Sequence, residues 1–454
     1  MTTALKQYID LFKEYRSAIE AQAPQTLNSL RDSALQALDG AQLPTKGQED
    51  YEATDLEKVF APDYGVNVNR TQFTADAANA FRCDVPNMST CLYFFFNDIF
   101  RPSRTAGINT GGVVVETFAE AQKNHPEILQ KHLGSIADLN KPEVALNTLL
   151  AQDGMLIYIP NGVTAEKPIQ LVNIYNAAAP VMAVRRLLIV VGENAHGRLL
   201  VCDHTQNKDM NYLGSQVIEI VALKNSTFDY YDLEETAERT HRVSSVYISQ
   251  QEGSNVLVDG ITFLNGFTRN DYYVDVDGEH CETHLLGMTI ASGRQHVDNH
   301  TLINHNAPHC HSNEMFKYVL NDNAIGAFAG KILVAPNCPR IDAYQGNRNI
   351  VAAPTAKMYS KPQLEIYTDD VKCSHGTAIG QLDEEALFYM RTRGISEKEA
   401  RMLLMQAFMS DVIDSIRMDS LKDRLHHLVE KRFKGQLAMC GECTANCNNK
   451  TENR

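Results

Sequence analysis

Between about residue 155 and residue 380 the chain strings together short β-rich runs, and no helix-period segment long enough to cross from one strand to the next interrupts them. The early runs fall at 155–159, 169–175, 186–191, 198–202, 216–222, 243–248 and 255–258. Polar corners part them: Gly192-Glu193-Asn194, Lys224-Asn225-Ser226, Glu252-Gly253-Ser254 and Asp277-Gly278-Glu279. A doubly wound sheet is excluded, because parallel strands in a βαβ unit need a helix between them. So long a β stretch must close on itself as a sandwich, a barrel or a coiled parallel solenoid. Similar Gly/Asn corners recur at roughly 25 to 33 residues, which fits a degenerate solenoid best.

Helical patterns flank this body. Tyr8, Phe12, Tyr15 and Ile19 form one stripe of a 3.6-residue period, and Leu27, Leu30, Ala34 and Leu38 repeat the spacing after Pro24, with Gly40 as a stop. Residues 41–150 read as mixed, with Phe94, Phe95 and Phe96 in a strand-like run and 126–150 helical. Near the C-terminus Gly394 ends one helix, and Ser396 with Glu399 forms a capping box for the next. Ala400, Leu403, Leu404, Ala407 and Phe408 give that helix an apolar face, and Leu421, Leu425, Leu428 and Val429 give one to a third. The expected organisation is a mixed, mainly helical region over 1–150, a β body over 151–380, a helical bundle over 381–434 on the end of that body, and a cysteine-containing tail over 435–454.

The 454 residues carry 42 basic and 56 acidic side chains, a formal net charge of −14. That balance argues against nonspecific binding to nucleic acid or an anionic membrane. The longest aliphatic stretch, 187–191, is far too short to cross a bilayer, and the opening residues lack the apolar core of a secretory signal. Ten cysteines in so long a chain are too sparse for a disulfide scaffold. A cytoplasmic protein with reduced thiols or thiolate ligands is expected.

The sharpest short constellation is Asp369-Asp370-Val371-Lys372-Cys373-Ser374-His375-Gly376. On an extended strand Cys373 and His375 share a face, about 6.6–7 Å apart at Cα. A thiolate beside an imidazole can hold iron or zinc or act as a sulfur nucleophile, and the plain alternative is a buried cysteine beside a hydrogen-bonded histidine. His280, Glu282 and His284 would likewise share a strand face, as a metal site or as a solvated polar surface. The imidazole-rich run His296, His300, His305, His309, Cys310 and His311 could stack on successive turns of a solenoid. Cys440, Cys443 and Cys447 have the C-x₂-C-x₃-C spacing of a zinc or iron–sulfur ligand set, with no fourth cysteine after them, so a frayed tail is the other reading. The segment Gly326 to Ile332 imitates a phosphate loop but is one residue short between its glycines and lacks the hydroxyl for magnesium. No nucleotide site is expected in this chain.

The stretch from Lys361-Pro362-Gln363 through Cys373-Ser374-His375-Gly376 to Arg393-Gly394-Ile395 resembles the signature of the SufD family, part of the SUF iron–sulfur cluster assembly system. Gly330-Lys331-Ile332-Leu333-Val334-Ala335-Pro336 and Asp342-Ala343-Tyr344-Gln345-Gly346-Asn347-Arg348-Asn349 match as well. Leu43-Pro44-Thr45-Lys46 with Glu49 and Tyr51 is similar to the family's early motif, with tyrosine where tryptophan is usual. The resemblance implies a right-handed parallel β-helix between an N-terminal helical region and a C-terminal helical domain. It implies a non-catalytic scaffold that pairs with the paralogue SufB through its last strands and docks the ATPase SufC on its C-terminal helices, with a homodimer as the alternative for the chain alone. It further implies that a transient iron–sulfur cluster, or iron, forms at the SufB–SufD interface, with His375 as a ligand and Cys373 beside it. The SufB-type paralogue is the rival within the family; Gly346 stands where SufB carries a cysteine, and Gly376 where SufB tends to carry a glutamate, and both absences favour SufD. Outside it, the rivals are a cytosolic β-solenoid lyase or hydrolase acting on carbohydrate and a metallohydrolase built on His280, Glu282 and His284.

Overall fold

A computed structural model describes residues 3–72, 90–102 and 111–435. Among the described residues, twenty strands form two ten-stranded sheets that face each other across one continuous core. Strands β1 (Gly65–Val66), β2 (Cys91–Phe96), β3 (Ile99–Pro102) and β4 (Val114–Thr117) precede the solenoid proper. One sheet then stacks β5 (Met155–Ile159), β7 (Val181–Val191), β9 (Tyr212–Ala222), β11 (Thr240–Gln250), β13 (Phe267–Val276), β15 (His296–His305), β17 (Ile325–Val334) and β19 (Lys357–Ile366). The other stacks β6 (Ile169–Tyr175), β8 (His196–Thr205), β10 (Thr227–Glu235), β12 (Asn255–Leu264), β14 (Glu282–Ala291), β16 (His311–Leu320), β18 (Ile341–Val351) and β20 (Val371–Gly380). All pairings among β5–β20 are parallel, and residue 227 pairs with 255, 255 with 282, 282 with 311 and 311 with 342. One coil per register step is the periodicity that the sequence corners announced.

Each coil turns one corner on a residue in the left-handed region, at Asn194, Asn225, Gly253, His280 and His309, with φ between 55° and 70°. Asn and Gly take this conformation at little cost; histidine takes it less readily. Alternate side chains of each strand then face inward. Ile157, Leu199, Val201, Phe228, Val256, Leu285 and Val297 point into the core between the sheets.

Helices cover both outer faces. Over the sheet of odd-numbered strands lie α1 (Thr3–Gln22), α2 (Gln25–Asn28), α3 (Arg31–Ala37), α4 (Leu56–Phe60), α5 (Phe118–Asn124), α6 (Pro126–His132) and α7 (Pro142–Leu150). The second expected N-terminal helix is thus two short ones. The other face carries α8 (Glu384–Thr392), α9 (Glu397–Asp414) and α10 (Asp419–Phe433). Met409, Val412, Ile413, Leu421, Leu425 and Val429 pack on Leu257, Ile261, Leu286, Met288 and Val319. The bundle therefore lies along the flank of the solenoid, not on its end, because the outer face of β12–β16 is itself apolar. The buried stripe of α9 is Ala400, Met409, Val412 and Ile413, while Leu403 and Ala407 face outward. Polar bonds fix the docking: Arg417 Nη1 reaches Asp229 at 3.1 Å, its backbone N–H donates to the Tyr231 hydroxyl at 3.0 Å, and the buried Lys317 ammonium donates to the Phe408 carbonyl at 2.7 Å.

The two ends of the solenoid differ. Antiparallel β3 and β4 close the sheets at one end, whereas β19 and β20 are terminal at the other, with no strand of the described residues on their outer edges. Ile366 and Ile379 stand exposed there. A long unprotected edge is what folded chains avoid unless another chain pairs with it.

Candidate functional site

The open end is built from the inward-facing residues of β20. Val371, Cys373, His375, Thr377 and Ile379 stand in register with Ile341, Ala343, Gln345, Asn347 and Asn349 of β18. Cys373 is half-buried against the core, and that burial raises its thiol pKa. His375 is exposed. The two residues share a side of the strand, as the sequence led one to expect.

Beneath His375 lies a buried polar column. The Gln345 amide nitrogen donates to Glu314 at 2.9 Å, and the Thr301 hydroxyl donates to the other carboxylate oxygen. Burial pushes the Glu314 carboxyl up to about 7 against these hydrogen bonds, so it holds a proton for part of the time at neutral pH. Ser360 donates to Asn347 at 2.7 Å and meets Thr377 at the same distance. The polar interior continues away from the open end: Asn299 donates to Tyr318, Asn270 to Asn299, and Arg242 to Asn270, Asp203 and Asp232. Arg185 closes the series on Asp203 at 3.0 Å. Part of the solenoid's interior is therefore ion pairs and amides, whose buried charges must be paired to be tolerated.

A second cluster joins the early motif to the last coils. Arg269 bonds Asp271 and Asp298 at 2.7 and 2.8 Å and lies under the Tyr51 ring at 4.3 Å. His300 sits between Asp271 and Asp50, at 3.4 and 3.5 Å. Burial alone would lower its pKa, but the two carboxylates prevail and raise it. Lys361 on β19 pairs with Glu52 at 3.2 Å and Glu49 at 3.7 Å. The early motif is thus a clip that holds the N-terminal layer against β13–β19.

The other expected sites do not converge. His280 is a corner residue with φ 60° and lies outside the strand, so it does not line up with Glu282 and His284. Glu282 accepts from Asn255, and His284 stands edge-on to His311 at 6.1 Å. The histidine run is dealt to different faces. His296 packs on Phe267, His300 sits in the clip, His305 is inside against Ser312 at 2.9 Å, His309 stacks on His280, and His311 is on the opposite outer face. Among the described residues no group of three or more His, Cys, Asp or Glu side chains is placed to hold a metal. Cys440, Cys443 and Cys447 lie outside the described residues. The phosphate-loop lookalike is strand β17. No helix of the described residues is long and apolar enough to cross a membrane.

Residues 173–408 match the SUF system FeS cluster assembly SufBD core domain, and residues 2–171 match the SufBD protein N-terminal region. The chain belongs to the SufBD family. An iron–sulfur cluster assembly SufBD family protein of Synechocystis is 28% identical over 95% of this chain and 96% of its own length. The iron–sulfur cluster assembly protein SufD of Escherichia coli is 23% identical over 96% of this chain and 98% of its own. The chloroplastic protein ABCI7 of Arabidopsis thaliana is 27% identical over 63% of this chain and 62% of its own. For a member of the SufBD family, the parallel solenoid with helical flanks is the fold that the sequence resemblance implied. Gln345 and Glu314 escaped sequence reasoning, because a bond across 31 residues leaves no local pattern.

Proposed function

We propose that the chain is the SufD-type scaffold subunit of a cytoplasmic SUF complex, and that its open solenoid end pairs with a SufB-type paralogue. The observation that carries this reading is the pair of terminal strands β19 and β20, whose outer edges meet no strand of the described residues and which bear His375 and the neighbouring Cys373 at the end a second solenoid would cover. Iron and sulfide are cargo there: the imidazole of His375, with Cys373 beside it, supplies one wall of the site, and the paralogue supplies the rest. Two ligands from one chain are half of a tetrahedral set.

The chain is read as non-catalytic. The ATPase SufC docks on the C-terminal helices, where Phe388 and Tyr389 of α8 are 69% and 59% exposed on a face the solenoid does not use. Nucleotide is bound and hydrolysed by that partner. Co-purification tests the reading. With tagged chain and untagged SufB-type and SufC-type subunits, a complex containing all three is expected. Ile366→Lys with Ile379→Lys should release the paralogue, since an inward-pointing charge blocks edge pairing. Recovery of the tagged chain alone, or pairing that survives both lysines, contradicts the proposal.

A further inference from the structure

The dipeptides His280-Cys281 and His309-Cys310 lie one coil apart, and the assembly role described above uses neither. In each coil the residue after the left-handed corner points inward and is buried: Ala195, Ser226, Ser254, Cys281 and Cys310 follow one another up this ladder. The earlier rungs are small, and the last two named are cysteines on adjacent coils. The His311 amide donates to the Cys281 carbonyl at 2.9 Å, which sets the register. Both sulfurs converge on one acceptor, since each Sγ lies 3.2 Å from the Gly278 carbonyl oxygen. The two cysteines immediately precede the in-register pair Glu282 and His311, and such neighbours on parallel strands stand about 4.8 Å apart, inside the roughly 4.4–6.8 Å Cα range that a disulfide spans.

We propose that Cys281 and Cys310 are a reversible dithiol–disulfide site, oxidised by peroxide, that cross-links two adjacent coils of the solenoid. The Cys281 sulfur attacks one peroxide oxygen; the O–O bond breaks, and hydroxide leaves and is protonated to water. The resulting sulfenic acid is attacked at sulfur by Cys310, the S–O bond breaks, and the Cys310 proton leaves with the oxygen as a second water. Two thiols are oxidised to one disulfide, and one peroxide is reduced to two waters. The Ser254 hydroxyl lies 3.5 Å from the Cys281 sulfur and can donate to its thiolate, whereas among the described residues Cys310 has only the Gly278 and Pro308 carbonyl oxygens beside it, which assigns the order of attack. The corner borders solvent: the side chain of His280, the residue before Cys281, is 66% exposed.

The test uses the reduced full-length protein, treated with hydrogen peroxide, alkylated under denaturing conditions and mapped by mass spectrometry without reduction. A Cys281–Cys310 linked peptide that dithiothreitol reverses is expected as the main disulfide. In Cys310→Ser the reaction should stop at a Cys281 sulfenic acid that dimedone traps. Both cysteines still alkylated after the half-buried Cys373 has been oxidised, or Cys281 joined to any other cysteine, overturns the proposal. The wild-type peptide map decides alone if the variant does not fold.

Discussion

His375 on the outermost strand stands in register with Gln345, whose amide nitrogen is bound to Glu314 and whose buried carbonyl oxygen has no hydrogen-bond partner among the described residues. If His375 is a ligand as proposed, that oxygen is the acceptor expected for one imidazole N–H, with the other ring nitrogen left to bind. Outer partners of this kind orient metal-binding histidines, and their loss typically costs about 10–100-fold. Gln345→Leu in the assembled complex is expected to lower the yield of cluster roughly tenfold while subunit stoichiometry is kept. Equal yields from Gln345→Leu and wild type would remove the glutamine from the site.

The clip around His300 has a pH window. Its raised pKa means that the stabilisation is fully present below the ordinary histidine value of about 6.5, and is lost as pH rises through the folded value. Asp50 is held low, chiefly by its hydrogen bond to His300, so its contribution is lost on the acid side. Amide exchange over residues 49–54, corrected for intrinsic rate, should be slower at pH 6 than at pH 8.5. His300→Leu should abolish the difference; identical protection in wild type at the two pH values would refute the clip as described.

Asp259 lies under the C-terminal bundle with neither carboxylate oxygen hydrogen-bonded among the described residues, and burial pushes it up to about 8. A carboxyl raised in the folded state binds its proton more tightly there, so stability falls as pH climbs from about 3.9 towards the folded value. Asp259→Asn is therefore expected to stabilise by roughly 1–3 kcal/mol at pH 8 and by little at pH 5. Thermal melts at the two pH values check this, and a shift of the same size at both would contradict it.

Stability and docking should separate on the C-terminal helices. Leu425→Ala empties a fully buried site and should cost about 2–4 kcal/mol. Phe388→Ala with Tyr389→Ala alters an exposed surface and should change stability by less than about 0.5 kcal/mol, yet abolish binding of the ATPase subunit. Retained binding by the double variant would move the docking surface elsewhere.

What was legible in the sequence followed from local pattern. The corners and the apolar runs at 155–159 and 169–175 gave a parallel solenoid, since both signals are short-range. Strand β10 did not stand out, because its interior residues include Asp232 and Glu234, which read as a loop until their partner Arg242 is seen one strand later in the chain. His280 looked like a strand residue because nothing local marks a histidine that serves as a left-handed corner. The flank position of α8–α10 was hidden for a related reason: the outer face of β12–β16 is apolar as well as the inner one, so alternation could not assign a side. At the candidate site, His375 and Cys373 are two residues apart and were visible, whereas Gln345 and Glu314 meet only through the coil.

The central claim is that His375 lends an imidazole ligand to a cluster formed where two solenoids meet. The most direct measurement is iron and acid-labile sulfide bound by the anaerobically reconstituted three-subunit complex carrying His375→Ala, compared with wild type. A complex of unchanged stoichiometry and thermal stability that holds little or no cluster is expected. A full complement of iron and sulfide in that variant would contradict the account.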